Sequence, residues 1–318
     1  MNVPQKLQLA NLPTPVQEII FQGKKFLIKR DDLTGMELSG NKVRKLEYIF
    51  AQAKREKANI VFTCGGEQSN HARATAIAAS RLGIKCKLFL WGKDKNDPNG
   101  NLFLDKLSGC EISFLNKTEY SHVNEIMFDE RQKLIKKGER VYVIPEGGST
   151  TLGIWGYISF MHELNKQIDL KKIDGILTAA GSGGTAAGLM LGSSLLKLNL
   201  KIFAVNVLYS ESVMKNKIIK LAEAGNLEYK LGLKINVDDL VVLDGYSEEG
   251  YKSISKDKVK LIKSFFRQIG ILLDPAYTGK AFAAFSDHFL GKKREKILFL
   301  HTGGLYGVFG KRNEYLNA

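Results

Sequence analysis

Residues 175–196 read GILTAAGSGGTAAGLMLGSSLL, and this stretch decides the fold. An apolar run, Gly175–Ala179, is followed by Gly181-Ser182-Gly183-Gly184-Thr185 and then by a segment rich in Ala, Leu and Met. Strand, glycine turn and helix are predicted in that order, the helix running to Leu198. Glycines let successive N–H groups converge on one point, and a helix N-terminus adds partial positive charge. Together they cradle an anion such as a phosphate. The window GSGGTA also fits the G-x-G-x-x-A fingerprint of dinucleotide-binding proteins. Against a nicotinamide or flavin oxidoreductase, the next predicted strand, Lys201–Val207, closes without an acidic residue for a ribose hydroxyl. No Lys-Ser or Lys-Thr pair follows the glycines, so this is not a Walker A loop. A phosphate monoester fits best, beside the plainer reading of a tight turn at a helix start.

Outward from this unit the pattern repeats. Strands are predicted at Phe26–Lys29, Ile60–Cys64, Cys86–Trp91, Cys110–Leu115, Val141–Pro145 and Lys296–His301. Helical periodicity covers Asn41–Glu56, Asn70–Leu82, Tyr120–Lys137, Glu211–Ala224 and Glu249–Ile269. Such alternation, with nearly continuous apolar strands, predicts an α/β chain of parallel-rich sheets covered by helices in three layers. Ligands of open α/β sheets bind beyond the carboxyl ends of strands. The glycine breaks at Gly65-Gly66, Gly147-Gly148, Gly181–Gly184 and Gly303-Gly304 are therefore the places to look for chemistry.

Two further segments carry reactive groups. In Ser39-Gly40-Asn41-Lys42-Val43-Arg44-Lys45, a helical wheel places Val43, Leu46, Ile49, Phe50 and Ala53 on one apolar arc. Lys42 falls within that arc, whereas Arg44, Glu47 and Arg55 fall outside it. Desolvation lowers a lysine's pKa and frees a neutral amine able to form a Schiff base. The competing reading is that Lys42 snorkels to water from the first turn. Lys45 shares its face and could reach an anion bound beside it. The second segment is Cys64-Gly65-Gly66-Glu67-Gln68-Ser69-Asn70-His71-Ala72-Arg73. Ser69 and Asn70 are favoured helix caps; equally, hydroxyl, amide, imidazole and free N–H groups at a helix start would hold a carboxylate. His301, ending an apolar strand, reads as a structural histidine. The five histidines show no metal-ligand spacing.

Composition narrows the class. The chain has 318 residues, 44% of them hydrophobic, enough for a sizeable core and too apolar for disorder. A formal charge of +14 raises nucleic acid or a membrane surface as partners. The lysines are scattered among Asp and Glu, however, with no basic block or aromatic-interleaved stripe, so a solvated surface is the reading and neither partner is expected. No apolar run approaches the roughly 18–20 residues of a membrane span, and the start MNVPQKLQLANLPTP lacks the apolar core of a signal peptide. Cys64, Cys86 and Cys110 lack paired spacing and read as reduced thiols of a cytoplasmic protein.

Six motifs then occur in series: Lys29-Arg30-Asp31-Asp32-Leu33, GNKVRKLEY, GGEQSNHAR, Gly181–Thr185, Asp274-Pro275-Ala276-Tyr277-Thr278-Gly279-Lys280 and His301-Thr302-Gly303-Gly304. In this order the chain resembles the D-cysteine desulfhydrase and 1-aminocyclopropane-1-carboxylate deaminase family of pyridoxal-phosphate enzymes, from about residue 12 to 310. The resemblance implies fold type II, similar to the tryptophan synthase β-subunit. It implies a large domain of residues 1–44 plus 159–318, a smaller inserted domain of 45–158, and a homodimer. It implies that Lys42 is the Schiff-base lysine, that Lys45, Asn70, Gly181, Ser182, Gly183, Gly184 and Thr185 surround the cofactor, and that Thr278 meets its ring nitrogen. Gln68, Ser69, Asn70 and His71 match the substrate-carboxylate and proton-relay segment, and Tyr251 and Tyr277 match tyrosines facing the substrate.

Within that resemblance, ring-opening members typically carry glutamate where Thr278 stands. A neutral hydroxyl makes the ring a weaker electron sink. Thr278 and Ser69-Asn70-His71 thus tilt towards β-elimination of D-cysteine to pyruvate, ammonia and hydrogen sulfide. The alternatives are cyclopropane-carboxylate deamination, a lyase for L-cysteate, and a non-catalytic basic binding protein. Two departures stand out: Ser39 replaces a common glycine, and Glu67 brings a carboxylate that would favour a cationic substrate if it faced the cleft.

Overall fold

The computed structural model describes residues 2–250, 253–292 and 295–316. In chain order the strands are β1 (Val16–Phe21), β2 (Lys24–Arg30), β3 (Ile60–Gly66), β4 (Lys85–Trp91) and β5 (Glu111–Leu115). They continue with β6 (Val141–Val143), β7 (Gly175–Ala180), β8 (Lys201–Asn206), β9 (Leu240–Leu243) and β10 (Ile297–His301). Six form one sheet in the order β1-β2-β10-β7-β8-β9, and four form a second in the order β5-β4-β3-β6. The smaller sheet is wholly parallel, as the apolar strands predict. The larger departs at one edge, where β1 and β2 form an antiparallel hairpin. Gln22 and Gly23 turn it with φ of 50° and 69°, the left-handed pair that suits a two-residue hairpin. The half-exposed β1 was not predicted from the sequence.

Strand periodicity divides the core of the larger sheet. Ile176, Ala180, Ile202, Leu298 and Leu300 face the helices Trp155–Gln167, Gly184–Leu195 and Glu211–Glu228. Leu177, Phe203, Val205, Ile297 and Phe299 face the helices Lys256–Ile269 and Thr278–His288 on the other side. Each buried Leu, Ile or Phe contributes about 1.5–3 kcal/mol. Helix Thr278–His288 escapes an amphipathic search because its first eight residues are all buried. The single helix expected over Tyr120–Lys137 is two, Lys117–Ser121 and Val123–Ile135, the first started by a capping box between Asn116 and Glu119.

Helix α1 (Lys42–Arg55) corrects the wheel: Arg44 and Glu47 are 2% and 1% exposed, not on a solvent face. Arg44 binds Asp31 at 2.8 Å and Glu163 at 2.8 Å, and Lys29 donates to Glu163 at 2.6 Å. Glu47 accepts from the backbone N–H groups of Leu9 and Ala10 at 3.0 Å each. Burial alone would raise the Glu163 carboxyl, but Arg44 and Lys29 hold it down at about 2. This ionic cluster ties β2, α1 and helix Trp155–Gln167 together. The division expected at residues 44/45 and 158/159 falls inside those two helices, with the whole four-stranded sheet between the two points.

Candidate active site

The parallel register of β2, β10 and β7 brings their carboxyl ends to one level, His301 lying opposite Arg30. The start of α1 packs directly against them. Asn41 N donates to Thr302 O at 2.9 Å, and its amide donates to Thr185 Oγ1 at 3.1 Å. Gly40 has φ +104°, and a Cβ there would sit 2.8 Å from Thr302 O, so only glycine permits the approach. The unusual Ser39 is satisfied, its hydroxyl donating to Asp32 O at 2.8 Å.

Here a cleft of ≈ 360 Å³ opens, lined by Lys42, Ser69, His71, Ser182 and Tyr277 among others. It continues into a recess formed by Asn41, Asn70, Gly181–Gly183 and Thr185. Lys42 is half-buried. Burial lowers its pKa to about 8, against the upward pull of the Glu146 and Asp274 charges. Of the two sequence readings, the geometry sides with a desolvated amine in a cavity. Helix Gly184–Leu195 begins beside it, and Gly183 caps it with φ +84°. A Cβ on Gly184 would come within 2.5 Å of Ser149 Oγ and 2.8 Å of Lys45 Nζ. Lys45 is buried and donates to Gly147 O and Ser149 Oγ at 3.1 Å each. Burial and the Lys42 charge push its pKa well down. The glycine turn, with its helix start and a lysine behind it, is a built anion cradle.

Helix α2 (Asn70–Arg81) supplies the opposite wall. Ser69 caps it, accepting from Ala72 N at 3.2 Å, and still lines the cleft with its hydroxyl proton uncommitted among the described contacts. The cap reading of Ser69 holds, and the same residue lines the cleft. His71 Nε2 meets Thr63 Oγ1 at 2.9 Å, and Thr63 gives its own proton to Ile144 O at 2.8 Å. The hydroxyl must then accept, so Nε2 carries the hydrogen and Nδ1 is left as a bare acceptor. Among the described residues that buried Nδ1 has no partner. Burial and the two nearby lysines hold the ring neutral.

Gln68 and Thr278 do not line the cleft. Gln68 turns away to the next helix start, donating to Asn99 O at 3.0 Å and accepting from Asn101 N at 2.9 Å. Thr278 is fully buried behind the cleft, its hydroxyl donating to Asp274 Oδ1 at 2.7 Å. Tyr251 lies outside the described residues. Tyr277 does reach the cleft, its ring packed on Gly181. Glu67 pairs with Lys95 at 3.0 Å and does not line the cleft. His301 is structural as expected, bonded to Leu272 O at 3.0 Å and Gly303 N at 3.2 Å. The sequence reading missed Trp91, Tyr120, Glu146 and Tyr209, which line the outer cleft. Glu146 was within reach, since it precedes the flagged Gly147-Gly148 turn.

A family model described as pyridoxal-phosphate dependent enzyme matches residues 7–303. A Thermotoga maritima protein, provisionally named a 1-aminocyclopropane-1-carboxylate deaminase, is 43% identical over 96% of this chain and 98% of its own. The mitochondrial bifunctional D-cysteine desulfhydrase/1-aminocyclopropane-1-carboxylate deaminase of Arabidopsis thaliana is 38% identical over 95% of this chain and 79% of its own. A crystal structure of an ACC deaminase homologue superposes with a TM-score of 0.89 at 36% identity, covering 99% of this chain and 96% of that one.

Proposed function

Because the chain belongs to the pyridoxal-phosphate dependent enzymes, we propose that its cleft performs β-elimination on small D-amino acids, D-cysteine first. The products are pyruvate, ammonia and hydrogen sulfide. The cofactor is pyridoxal phosphate, and the residues present fit it: an amine for its aldehyde, a glycine cradle for its phosphate and the Tyr277 ring beside both. When bound, it supplies an electron-withdrawing ring that stabilises negative charge at the substrate's α-carbon.

The chain's own groups do the rest. The Gly181–Thr185 turn would hold the phosphate. The start of α2, with the Ser69 hydroxyl and the His71 Nδ1 acceptor, binds and orients the substrate's polar groups. With the cofactor bound, the Lys42 amine would be placed to take the substrate's α-proton in its neutral form. The observation that carries this reading is Lys42 itself, an amine of pKa about 8 opening into a cavity beside an anion cradle. The geometry of Thr278 adds nothing to the choice between elimination and ring opening, since its buried hydroxyl donates to Asp274 Oδ1 at 2.7 Å.

Opening of the cyclopropane ring of 1-aminocyclopropane-1-carboxylate is the second reading, favoured by the name of the Thermotoga maritima relative, while the Arabidopsis thaliana name carries both activities. A cytoplasmic homodimer belongs to the same proposal and is checked by sedimentation. The assay separates the products: pyruvate from D-cysteine, 2-oxobutanoate from the cyclopropane substrate. Lys42→Ala should abolish turnover and the visible absorbance of the bound cofactor. If D-cysteine, β-chloro-D-alanine and D-serine are all inert, the elimination reading fails.

A further inference from the structure

Glu146 stands in the outer cleft, and among the described lining residues it is the only carboxylate. Tyr120 Oη donates to its Oε1 at 2.9 Å. Lys117 lines the same mouth but forms no ion pair with it among the described residues. Glu146 is exposed at the cleft mouth, Trp91, Tyr120 and Tyr209 line the same cleft, and its charge is felt at Lys42. A carboxylate so placed, oriented by a phenol and in no ion pair among the described residues, offers the cleft a negative charge at its mouth.

We propose that Glu146, oriented by Tyr120, selects substrates with a cationic β-substituent, the class represented by D-2,3-diaminopropionate. The inference rests on the elimination reading above and extends its substrate range. Its chemistry follows from the leaving group. An amine bonded to the β-carbon can depart only as neutral ammonia, so it must be an ammonium when the bond breaks. A facing carboxylate stabilises that ammonium and raises its pKa. The α-proton passes to Lys42, the electron pair of the Cα–H bond becomes the Cα–Cβ double bond, and the Cβ–N pair leaves with ammonia. Water then hydrolyses the resulting enamine to pyruvate and a second ammonia, with no net oxidation. A departing thiolate gains nothing from that carboxylate, so the charge at position 146 adds cationic substituents to the range of the elimination reading.

The holoenzyme is assayed with D-2,3-diaminopropionate, β-chloro-D-alanine and D-cysteine. Diaminopropionate is expected to give pyruvate with two ammonia per turnover. Glu146→Gln should lower the ratio of its kcat/KM to that of β-chloro-D-alanine by at least about tenfold, the low end for a hydrogen bond to a charged group. Glu146→Asp, which keeps the charge, should recover part of that ratio. Turnover of β-chloro-D-alanine with none of diaminopropionate overturns the inference and leaves the elimination reading standing. So does an unchanged ratio in Glu146→Gln. Failure of all three substrates removes both.

Discussion

The state of the Lys42 amine makes the sharpest prediction. At its ordinary pKa of 10.5, about one amine in 3,000 is neutral at pH 7; at about 8, roughly one in eleven is. The cleft therefore supplies about 300-fold more nucleophile at neutral pH. Apoprotein mixed with excess pyridoxal phosphate should take it up at a rate that climbs about tenfold per pH unit below the midpoint. The rate should level off above about pH 8, followed by the growth of visible absorbance. The sign is fixed by the shift: the reactive form is the deprotonated one, so lowering the pKa moves the plateau to lower pH. Glu146 works against burial by favouring the charged amine, so Glu146→Gln should move the midpoint further down. A rate that keeps climbing to about pH 10, or a midpoint that rises in Glu146→Gln, would refute the assignment of Lys42 as a desolvated amine.

Three other outcomes follow from the packing. Gly184→Ala forces a Cβ against Ser149 Oγ and Lys45 Nζ, so equilibrium dialysis should show cofactor affinity lowered at least about tenfold with the circular dichroism unchanged. Unaltered affinity would move the phosphate elsewhere. Ser69→Ala removes a helix cap worth about 1 kcal/mol and should cut kcat/KM while the cofactor stays bound; loss of the cofactor would make Ser69 purely structural. Glu163→Ala takes the ion-pair partner from buried Lys29, leaves Arg44 with Asp31 alone, and should cost about 3–5 kcal/mol in urea denaturation. A loss below about 1 kcal/mol would mean that water replaces the carboxylate.

The reactive core was legible because its signals are local. Glycine turns at strand ends, a lysine on an apolar arc and cap residues before a helix each declare themselves within about ten residues, and Lys42, Ser69, His71 and Gly181–Gly183 line one continuous cleft and its recess. What stayed hidden depends on distant partners. Arg44 and Glu47 looked like solvent-facing residues because their counter-groups, Asp31, Glu163 and the Leu9–Ala10 backbone, lie on other segments. Gln68 looked like a substrate ligand until the helix start at residues 99–101 claimed its amide. Glu67 and Glu146 illustrate the same limit: both follow or precede glycine pairs at strand ends, and only the fold shows that the first turns to Lys95 and the second into the cleft.

The place of β10 has a consequence for how the protein is made. Its last strand inserts between β2 and β7, whose partners are all synthesised earlier. Until residue 301 has left the ribosome, the nascent chain carries two open strand edges and lacks the Thr302-Gly303 wall of the recess. Sheet closure and vitamin capture are thereby deferred until residues 297–303 have emerged, and chains released before then leave sticky, half-paired edges for chaperones to shield.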